Sequence, residues 1–267
     1  MADQLRQLLA ARIRHQDIPL FGVAPADRWD EEPFHPWVPN EFRPRAIYPE
    51  CESVLVIGYP ISLPVIETTP SIHYHEMYRT VNDLLDESAY RLSLFLNEQG
   101  HAAFYIPRDG YGSISVLKER PMAFFSHRHA AFMAGLGTFG RNNALLTERF
   151  GPRVRFTSIF TNAKIPPDEV MEGQLCIRCD RCVEKCPVNA LPGGDYPAGL
   201  TDKAACTNYH EKLFARHISP CGVCIKVCPV GQDRKLFGRT DMDIYEERPG
   251  EPLTKAWEHV RAYGGKK

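Results

Sequence analysis

The chain has 267 residues, of which 43% are hydrophobic and 24% are charged, and its formal net charge is -1. This composition is typical of a globular protein and excludes a disordered or collagen-like chain. The near-zero charge argues against a protein that binds nucleic acid mainly through the phosphate backbone. No apolar run is long enough to span a membrane, so we expect no membrane partner. Because the first residues show neither a signal sequence nor a twin arginine, we expect a cytoplasmic protein.

The first part of the chain has the mixed pattern of helices and strands expected for an α/β domain. An amphipathic helix is predicted over residues 4–14, followed by a wrapping loop over the proline-rich stretch 19–49. Residues 53–59 form a continuous apolar run, typical of a strand that is buried on both faces. Apolar residues at helical spacing over residues 74–96 predict a long helix that ends at Gly100.

Two more strands are predicted over residues 102–106 and 153–161, and the prolines in 163–168 indicate a linker. A charged tail with a last helical turn at 258–263 is expected near the end. The predicted fold class is α+β, with a mixed α/β domain over 1–168, a cysteine-rich domain over 169–235 and a tail over 236–267.

Cysteines are distributed very unevenly along the chain. One of the nine stands alone at Cys51, and the other eight lie between Cys176 and Cys228. Thiols stay reduced in the cytosol, so clustered cysteines there bind metal more often than they form disulfides. We interpret Cys51 as a structural thiol, because a free cysteine mostly behaves as a small hydrophobic residue.

The eight clustered cysteines follow the spacing of bacterial ferredoxins that hold two 4Fe–4S clusters. In that pattern three cysteines, each separated from the next by two residues, bind one cluster. A fourth cysteine, separated from the third by three residues and followed by a proline, binds the other cluster. The spacing therefore predicts a first set of ligands and a second set. The first set is Cys176, Cys179, Cys182 and Cys228, and the second set is Cys186, Cys206, Cys221 and Cys224.

Zinc is the alternative metal that clustered cysteines could bind. Zinc sites usually show paired Cys-x2-Cys or Cys/His units without the Cys-x3-Cys-Pro ending, which occurs twice here. Residues 171–233 also contain seven acidic and seven basic residues, so this segment is neutral. A neutral module behind a larger domain favours an internal electron path over a free carrier.

A glycine loop at 135–140 matches the G-x-G-x-x-G pattern of dinucleotide-binding proteins. That pattern should follow a strand and open a helix, with an acidic residue about twenty positions later. Here the preceding residues 126–133 are helix-like, and no acid occurs between Phe150 and Pro167. We therefore reject a dinucleotide site, although the loop with Arg141, Asn142 and Asn143 could still bind a phosphate or an amide-rich cofactor.

The glycine loop, Leu145-Leu146-Thr147, residues 150–153 and the cysteine pattern together resemble the epoxyqueuosine reductases and the reductive dehalogenases. The resemblance implies a cobalamin-binding domain joined to a double-cluster ferredoxin domain, with electrons passing through the clusters to cobalt. It also implies a low-potential electron donor of the ferredoxin or flavodoxin type. The cofactor-binding residues that it suggests are Gly135, Gly137, Gly140, Arg141, Asn142, Asn143 and Arg153.

Several features depart from these families. Residues 121–122 offer no acid where epoxyqueuosine reductases have a catalytic aspartate, and we expect neither a helical-repeat domain nor a twin-arginine signal from this sequence. The cobalt-ligand pattern Asp-x-His-x-x-Gly is absent as well. From these departures we expect transfer RNA not to be a partner, and any cobalamin to bind without a histidine from that motif.

Two residues are candidate proton donors beside the cofactor. Tyr111 lies in a glycine-flanked turn, and His127 lies just before the glycine loop. The alternatives are a surface tyrosine of a turn and a histidine that packs against a helix. We expect His73 and His75 to lie at the surface.

These patterns predict an iron–sulfur oxidoreductase that reduces a small molecule or a corrinoid. The alternative is a non-catalytic electron-transfer protein, or a reductive activator of a corrinoid partner. Epoxyqueuosine reduction on transfer RNA is the weakest of the three hypotheses.

Overall fold

The computed structural model describes residues 2–30, 38–110, 112–120 and 122–264. The strands are Leu20–Pro25 (β1), Ser53–Pro60 (β2), Ala103–Ile106 (β3), Thr138–Phe139 (β4), Leu145–Leu146 (β5) and Val154–Thr161 (β6). The helices are Ala2–His15 (α1), Pro44–Ile47 (α2), Leu63–Ile66 (α3), Ile72–Glu98 (α4), Ile114–Glu119 (α5), His127–Met133 (α6), Arg181–Glu184 (α7), Lys203–Phe214 (α8), Val223–Lys226 (α9), Asp233–Leu236 (α10) and Pro252–Arg261 (α11).

A four-stranded antiparallel sheet in the order β1-β2-β6-β3 lies at the centre of the fold. β2 pairs with β1 on one side and with β6 on the other, for example Val56 with Ser158. Residues 53–58 of β2 are all buried, which confirms the strand predicted to be covered on both faces. Together with the helices, the sheet confirms a mixed α/β architecture.

Each face of the sheet carries its own hydrophobic core. On one face α1, α3 and α4 pack against the sheet, and on the other face α6 and the glycine-loop region do so. The long predicted helix is confirmed as α4. The Ser71 hydroxyl caps its start by accepting a hydrogen bond from the Tyr74 N–H, and Gly100, with φ +83°, follows its end.

The prediction of a loop over 19–49 is wrong for its first part, where β1 forms. β1 lies at the edge of the sheet, and its proline, Pro25, is its last residue, so a proline-rich stretch can still contribute a short edge strand. Further on, α2 and two 3₁₀ turns (Ala26–Asp30 and Asn40–Phe42) interrupt the loop.

The segment 163–168 is irregular, as its prolines predicted, but it is also tightly bound to the sheet. The Asp168 N–H donates to the Val23 carbonyl at 2.9 Å, and the Val23 N–H donates to the Asp168 carboxylate at 2.8 Å. Ile165 is buried, and Arg6 on α1 pairs with Asp168 at 2.5 Å. The segment therefore covers the open edge of β1. A domain boundary at this point stays a prediction.

The C-terminal residues do not form the charged tail that we expected. α11 begins at Pro252, well before the helical turn predicted at 258–263, and its Trp257 is buried against Val227, Met242 and Tyr245. Within the described part of the chain, no helix has both the length and the apolar character needed to cross a membrane.

Candidate iron-sulfur centre

Short helices and left-handed residues shape the cysteine-rich segment. Arg178, Asp180 and Gly222 have positive φ angles of 57°, 55° and 71°, and each lies between two cysteines of a Cys-x2-Cys unit. A left-handed residue turns the backbone sharply, so thiols on both sides of it can face one point. α7 begins directly after Asp180 and α9 directly after Gly222, so the two halves repeat one local structure.

The first set of cysteines lines one cavity. Its wall contains all four thiols, including that of Cys228, which comes from the other run of cysteines. Burial, together with the neighbouring thiols of Cys228, Cys179 and Cys176, raises the pKa of the Cys182 thiol to about 12. The crossing of Cys228 to the first run is what the ferredoxin-like spacing predicts.

The second set also consists of mutual neighbours. Burial raises the pKa of the Cys224 thiol, with further contributions from Cys221, Cys206, Cys182 and Cys186. The contribution of Cys182, a first-set residue, indicates that the two sets lie close together. Within the described residues, no three His, Cys, Asp or Glu side chains converge on the position of a single metal ion.

Two polar groups contact the second set, and the sequence analysis identified neither of them. The N–H of Ala190 donates to Cys186 Sγ at 3.2 Å. His210 Nε2 lies 3.9 Å from Cys206 Sγ and accepts a hydrogen bond from the Cys221 N–H at 3.4 Å. His210 follows Cys206 by four residues on α8, a spacing that brings side chains together on a helix.

The glycine loop is part of a hairpin that packs against the protein itself. It follows α6 and leads into the β4–β5 hairpin, so it lacks the strand–loop–helix context of a dinucleotide site, as the sequence predicted. A Cβ atom on Gly137 would lie 1.9 Å from the Leu146 carbonyl oxygen, and one on Gly135 would lie 2.1 Å from that of Glu169. These glycines therefore permit close contacts between backbone segments.

The residues after the glycine loop bind the cysteine-rich segment. Gly140, Arg141 and Asn142 line the cavity of the first set. Arg141 donates to Asp180 at 2.6 Å and to Asp195 at 3.1 Å, and the Asn142 amide donates to the Cys224 carbonyl at 3.4 Å. The loop thus lies against the predicted cluster sites.

Asn143 continues this contact one residue further on. Its side-chain amide donates to the Gly199 carbonyl at 2.8 Å, and its oxygen accepts hydrogen bonds from the Thr201 N–H at 2.8 Å and from the Thr201 hydroxyl at 3.0 Å. Asn143 is buried, with a positive φ of 55°, a conformation that asparagine tolerates better than most residues.

Arg153 holds protein groups rather than a separate cofactor, which corrects the role that we expected. It is fully buried, and its guanidinium donates to both carboxylate oxygens of Asp233, at 2.7 and 2.6 Å. The remaining donors contact the carbonyl oxygens of Ile225, Cys228 and Val230 at 3.4, 3.2 and 2.7 Å. All five N–H groups are used in this way, so Arg153 fixes the turn that carries Cys228.

The structure brings His127 next to a polar cluster, which we define as Tyr78, Asn82, Asp109 and Arg155. His127 Nδ1 lies 2.9 Å from the Ser158 hydroxyl, and Nε2 lies 3.1 Å from the Pro107 carbonyl. Burial lowers its pKa to about 4, so the ring is neutral at pH 7. A neutral ring can donate to Pro107 and accept from Ser158. Tyr111, the other candidate proton donor, lies outside the described residues.

The polar cluster is tightly connected within itself. Arg155 donates to the side-chain oxygen of Asn82 and to the Asp109 carboxylate, both at 3.1 Å. Its guanidinium lies 4.2 Å from the centre of the Tyr78 ring. The side chains of Arg155 and Asp109 are 25% and 31% exposed, so solvent reaches the cluster.

Tyr74 links the polar cluster to the second set of cysteines. A Cβ atom on Gly222 would lie 2.6 Å from the Tyr74 ring, and this ring is 6.2 Å from that of Tyr78.

The neighbouring His75 is buried, with Nδ1 2.6 Å from the Ser219 carbonyl, so our prediction of a surface residue is wrong. His73 is exposed, as predicted.

Cys51 lies apart from the eight other cysteines, in the core beside α6 and β2. It is fully buried, and burial raises the pKa of its thiol to about 12. Such a thiol is inert at neutral pH, in agreement with a structural residue.

Comparison with known proteins finds a match for the first run of cysteines. The 4Fe-4S binding domain family (Fer4) matches residues 174–191. A tetrachloroethene reductive dehalogenase of Desulfitobacterium hafniense is 31% identical over an alignment of 193 residues that covers 66% of this chain and 32% of that protein. An epoxyqueuosine reductase of Bacillus anthracis is 30% identical over an alignment of 130 residues that covers 44% of this chain and 33% of that protein.

A solved reductive dehalogenase has a similar fold. Its structure, described as suggesting a mechanism for B12-dependent dehalogenation, aligns with a TM-score of 0.65 and 19% identity over 93% of this chain and 37% of that one. The chain spans about a third of the length of the curated relatives that it matches. The protein is thus an iron–sulfur relative of the reductive dehalogenases and epoxyqueuosine reductases, with a 4Fe-4S binding domain.

Proposed function

We propose that this protein is an oxidoreductase in which two 4Fe–4S clusters carry electrons to an acceptor beside the N-terminal sheet. The observation that carries the proposal is the cavity lined by Cys176, Cys179, Cys182 and Cys228. In this proposal each set of cysteines holds one cluster, and the short distance between the sets allows electrons to pass between them. The N–H that contacts Cys186 Sγ supports the second site, because hydrogen bonds to ligand sulfurs tune such clusters.

The exposure of the cysteines suggests a direction for the electrons. Cys179 is exposed, and Ile177 beside it is 67% exposed, so the first site is open to a donor. Cys221 of the second site is buried, and Tyr74 connects that site to the polar cluster. We propose that a ferredoxin- or flavodoxin-type donor reduces the first cluster, and that the second cluster passes electrons toward the polar cluster.

Several of the residues that the resemblance assigned to cobalamin already bind other parts of the protein, which argues against that role. Arg153 has no donor left for a ligand, Asn143 is bonded to residues 199–201, and the glycines make close backbone contacts. A corrinoid or small molecule would therefore bind elsewhere. The polar cluster is our candidate place, because Arg155 and Asp109 are partly exposed beside His127.

The cluster proposal is tested by counting iron after anaerobic reconstitution. We expect about eight iron atoms per chain in the wild type. Cys179→Ser and Cys206→Ser should each alter the EPR signal of a different cluster. Cys51→Ser, the matched control, should keep the full iron content and both signals. Tightly bound zinc without a low-potential EPR signal would overturn the proposal.

The acceptor is tested by titration of the reconstituted protein with cobalamin under anaerobic conditions. A saturable change in the visible spectrum at one equivalent, lost in Arg155→Gln, would support a corrinoid site at the polar cluster. No change, with both clusters intact, would favour the electron-transfer protein or the reductive activator of a corrinoid partner. Reduction by a flavodoxin would then be followed with and without that partner.

Transfer RNA stays open as a partner, because one relative is an epoxyqueuosine reductase. Binding to a transfer RNA that weakens steeply with salt would support this function. Equal, weak binding to unrelated RNA would argue against it.

A further inference from the structure

Arg234 is a buried cation beside the first set of cysteines. It is 2% exposed and lies on α10, behind the turn that carries Cys228. Its Nε and Nη2 atoms donate to the Cys228 carbonyl at 3.0 and 2.8 Å. Nη2 also donates to the Lys226 carbonyl and Nη1 to the Tyr245 hydroxyl, in short contacts. All of these acceptors are neutral.

No carboxylate pairs with Arg234 within the described residues. The nearest carboxylate in the hydrogen-bond network of Arg234 belongs to Glu67. The Tyr245 hydroxyl donates to this carboxylate at 2.6 Å and lies between it and the guanidinium. The other buried cations of this region are paired differently. Arg153 binds Asp233, and Lys226 binds Glu247. A buried charge without a partner is costly, so Arg234 needs a negative charge from elsewhere.

We infer that Arg234 is the countercation of the iron–sulfur cluster bound by Cys176, Cys179, Cys182 and Cys228, and that it raises the reduction potential of this cluster. The inference rests on the proposed function, since it needs a cluster at the first site. A cluster with four thiolate ligands carries a net negative charge, which increases when one electron is added. A cation fixed behind the Cys228 ligand therefore stabilises the reduced form more than the oxidised form.

The second site has a different environment in the described structure. His210 Nε2 lies 3.9 Å from Cys206 Sγ and accepts the Cys221 N–H, and the cation that acts on Cys206 and Cys224 is Arg128, which belongs to α6. The hydrogen bonds of Arg234 instead reach the Cys228 carbonyl, on the turn that carries a ligand of the first set. Arg234 therefore acts mainly on the first cluster, as a positioning and potential-setting residue rather than a catalytic one.

The test is a redox titration of Arg234→Gln and Arg234→Lys, followed by EPR of the anaerobic, iron-loaded protein. For Arg234→Gln we expect the one-electron reduction constant of the first cluster to fall at least tenfold, which is about 59 mV to lower potential. Arg234→Lys keeps the charge and should shift the potential much less. Lys235→Gln, the matched control, removes an exposed cation from the same helix and should leave the potential unchanged.

The signal of the first cluster is identified by Cys179→Ser and that of the second by Cys206→Ser. An unchanged potential in Arg234→Gln, or a shift confined to the second cluster, would overturn the inference. If Arg234→Gln does not fold, Arg234→Met provides the second test, because it keeps the length of the side chain and removes the charge. The potential of the first cluster should fall in this variant as well, and an unchanged or raised value would also overturn the inference. Loss of both clusters from the wild-type protein would instead contradict the proposed function.

Discussion

The guanidinium of Arg153, the residue just before β6, makes a bidentate ion pair with the carboxylate of Asp233 at the start of α10, at 2.7 and 2.6 Å. The two residues are 80 positions apart and both are buried. Arg153 also donates to the Cys228 carbonyl, so one side chain joins the central sheet to a predicted cluster ligand. The sheet and the cysteine-rich segment should therefore be stable only together.

Replacement of Arg153 by glutamine should strongly destabilise the protein. It leaves the buried Asp233 carboxylate unpaired, and breaking a buried pair typically costs about 3–5 kcal/mol. The measurement is denaturant unfolding of the anaerobic protein. Arg91→Gln, which removes an exposed pair with Glu87, should change the free energy of unfolding by less than about 0.5 kcal/mol. Equal stability of the two variants would show that the buried pair is not important.

Replacement of Gly137 by alanine should disrupt the β4–β5 hairpin. The added Cβ would lie 1.9 Å from the Leu146 carbonyl oxygen, so the two strands must separate. Because the next residues line the first cavity, we expect loss of iron from the first site, measured as iron per chain and by EPR. Gly173→Ala is the control. Its surroundings are open, so only the positive φ of 83° opposes the change, at about 1 kcal/mol. Retention of all iron in Gly137→Ala would contradict this account.

His127 should make the stability of the protein depend on pH. Burial lowers its pKa to about 4, below its ordinary value of 6.5, with a smaller lowering from Arg155 and an opposing effect of Asp109. The folded state therefore favours the neutral ring, and protonation of His127 destabilises the protein. This contribution is complete above about pH 6.5 and is lost as the pH falls toward 4, with a total of about 2–3 kcal/mol.

In His127→Gln the free energy of unfolding should fall less steeply between about pH 7 and pH 5. The exposed His73 provides the control, since His73→Gln should leave the slope as in the wild type. A wild-type slope in His127→Gln would mean that His127 does not carry this dependence.

Trp257 should be required for stability, although it lies in the segment predicted as a tail. Its ring stacks on that of Tyr245 at 5.8 Å, and the ammonium of the buried Lys226 lies 4.6 Å from its centre. Trp257→Ala should cost about 3–5 kcal/mol in unfolding by denaturant, and should speed the release of iron to a chelator. Tyr263→Ala removes a 60% exposed ring and should have little effect on either measurement. Equal release rates in the two variants would argue against a role for α11 at the first site.

The elements predicted well from the sequence are those with a strong local pattern. α4 has a long helical repeat and β2 a continuous apolar run. In both cases the residues that decide the structure are neighbours in the chain. The four cysteines of the predicted first set do line one cavity, while their role as cluster ligands stays a prediction.

The elements missed are those whose partners are far away in sequence. β1 exists because β2 lies beside it, and its own residues are ambiguous next to so many prolines. Arg153 looked like a ligand-binding arginine because its partner, Asp233, belongs to a distant turn. The glycine loop matched a phosphate-binding pattern, yet its glycines are needed for contacts with Leu146 and Glu169. Local patterns indicate that a residue is special without indicating which segment it meets.

The crossing of the two sets also constrains the order in which the protein can be made. The first cavity is lined by Cys228 as well as by Cys176, so it is complete only after synthesis has passed Cys228. Cys224, the last residue of the second set, is made only four residues earlier. A ribosome-bound chain that has just produced Cys186 therefore holds neither complete site. In the proposed arrangement, both clusters can be completed only after the segment through Cys228 has left the ribosome, so a delivery protein for iron and sulfide would meet both sites together.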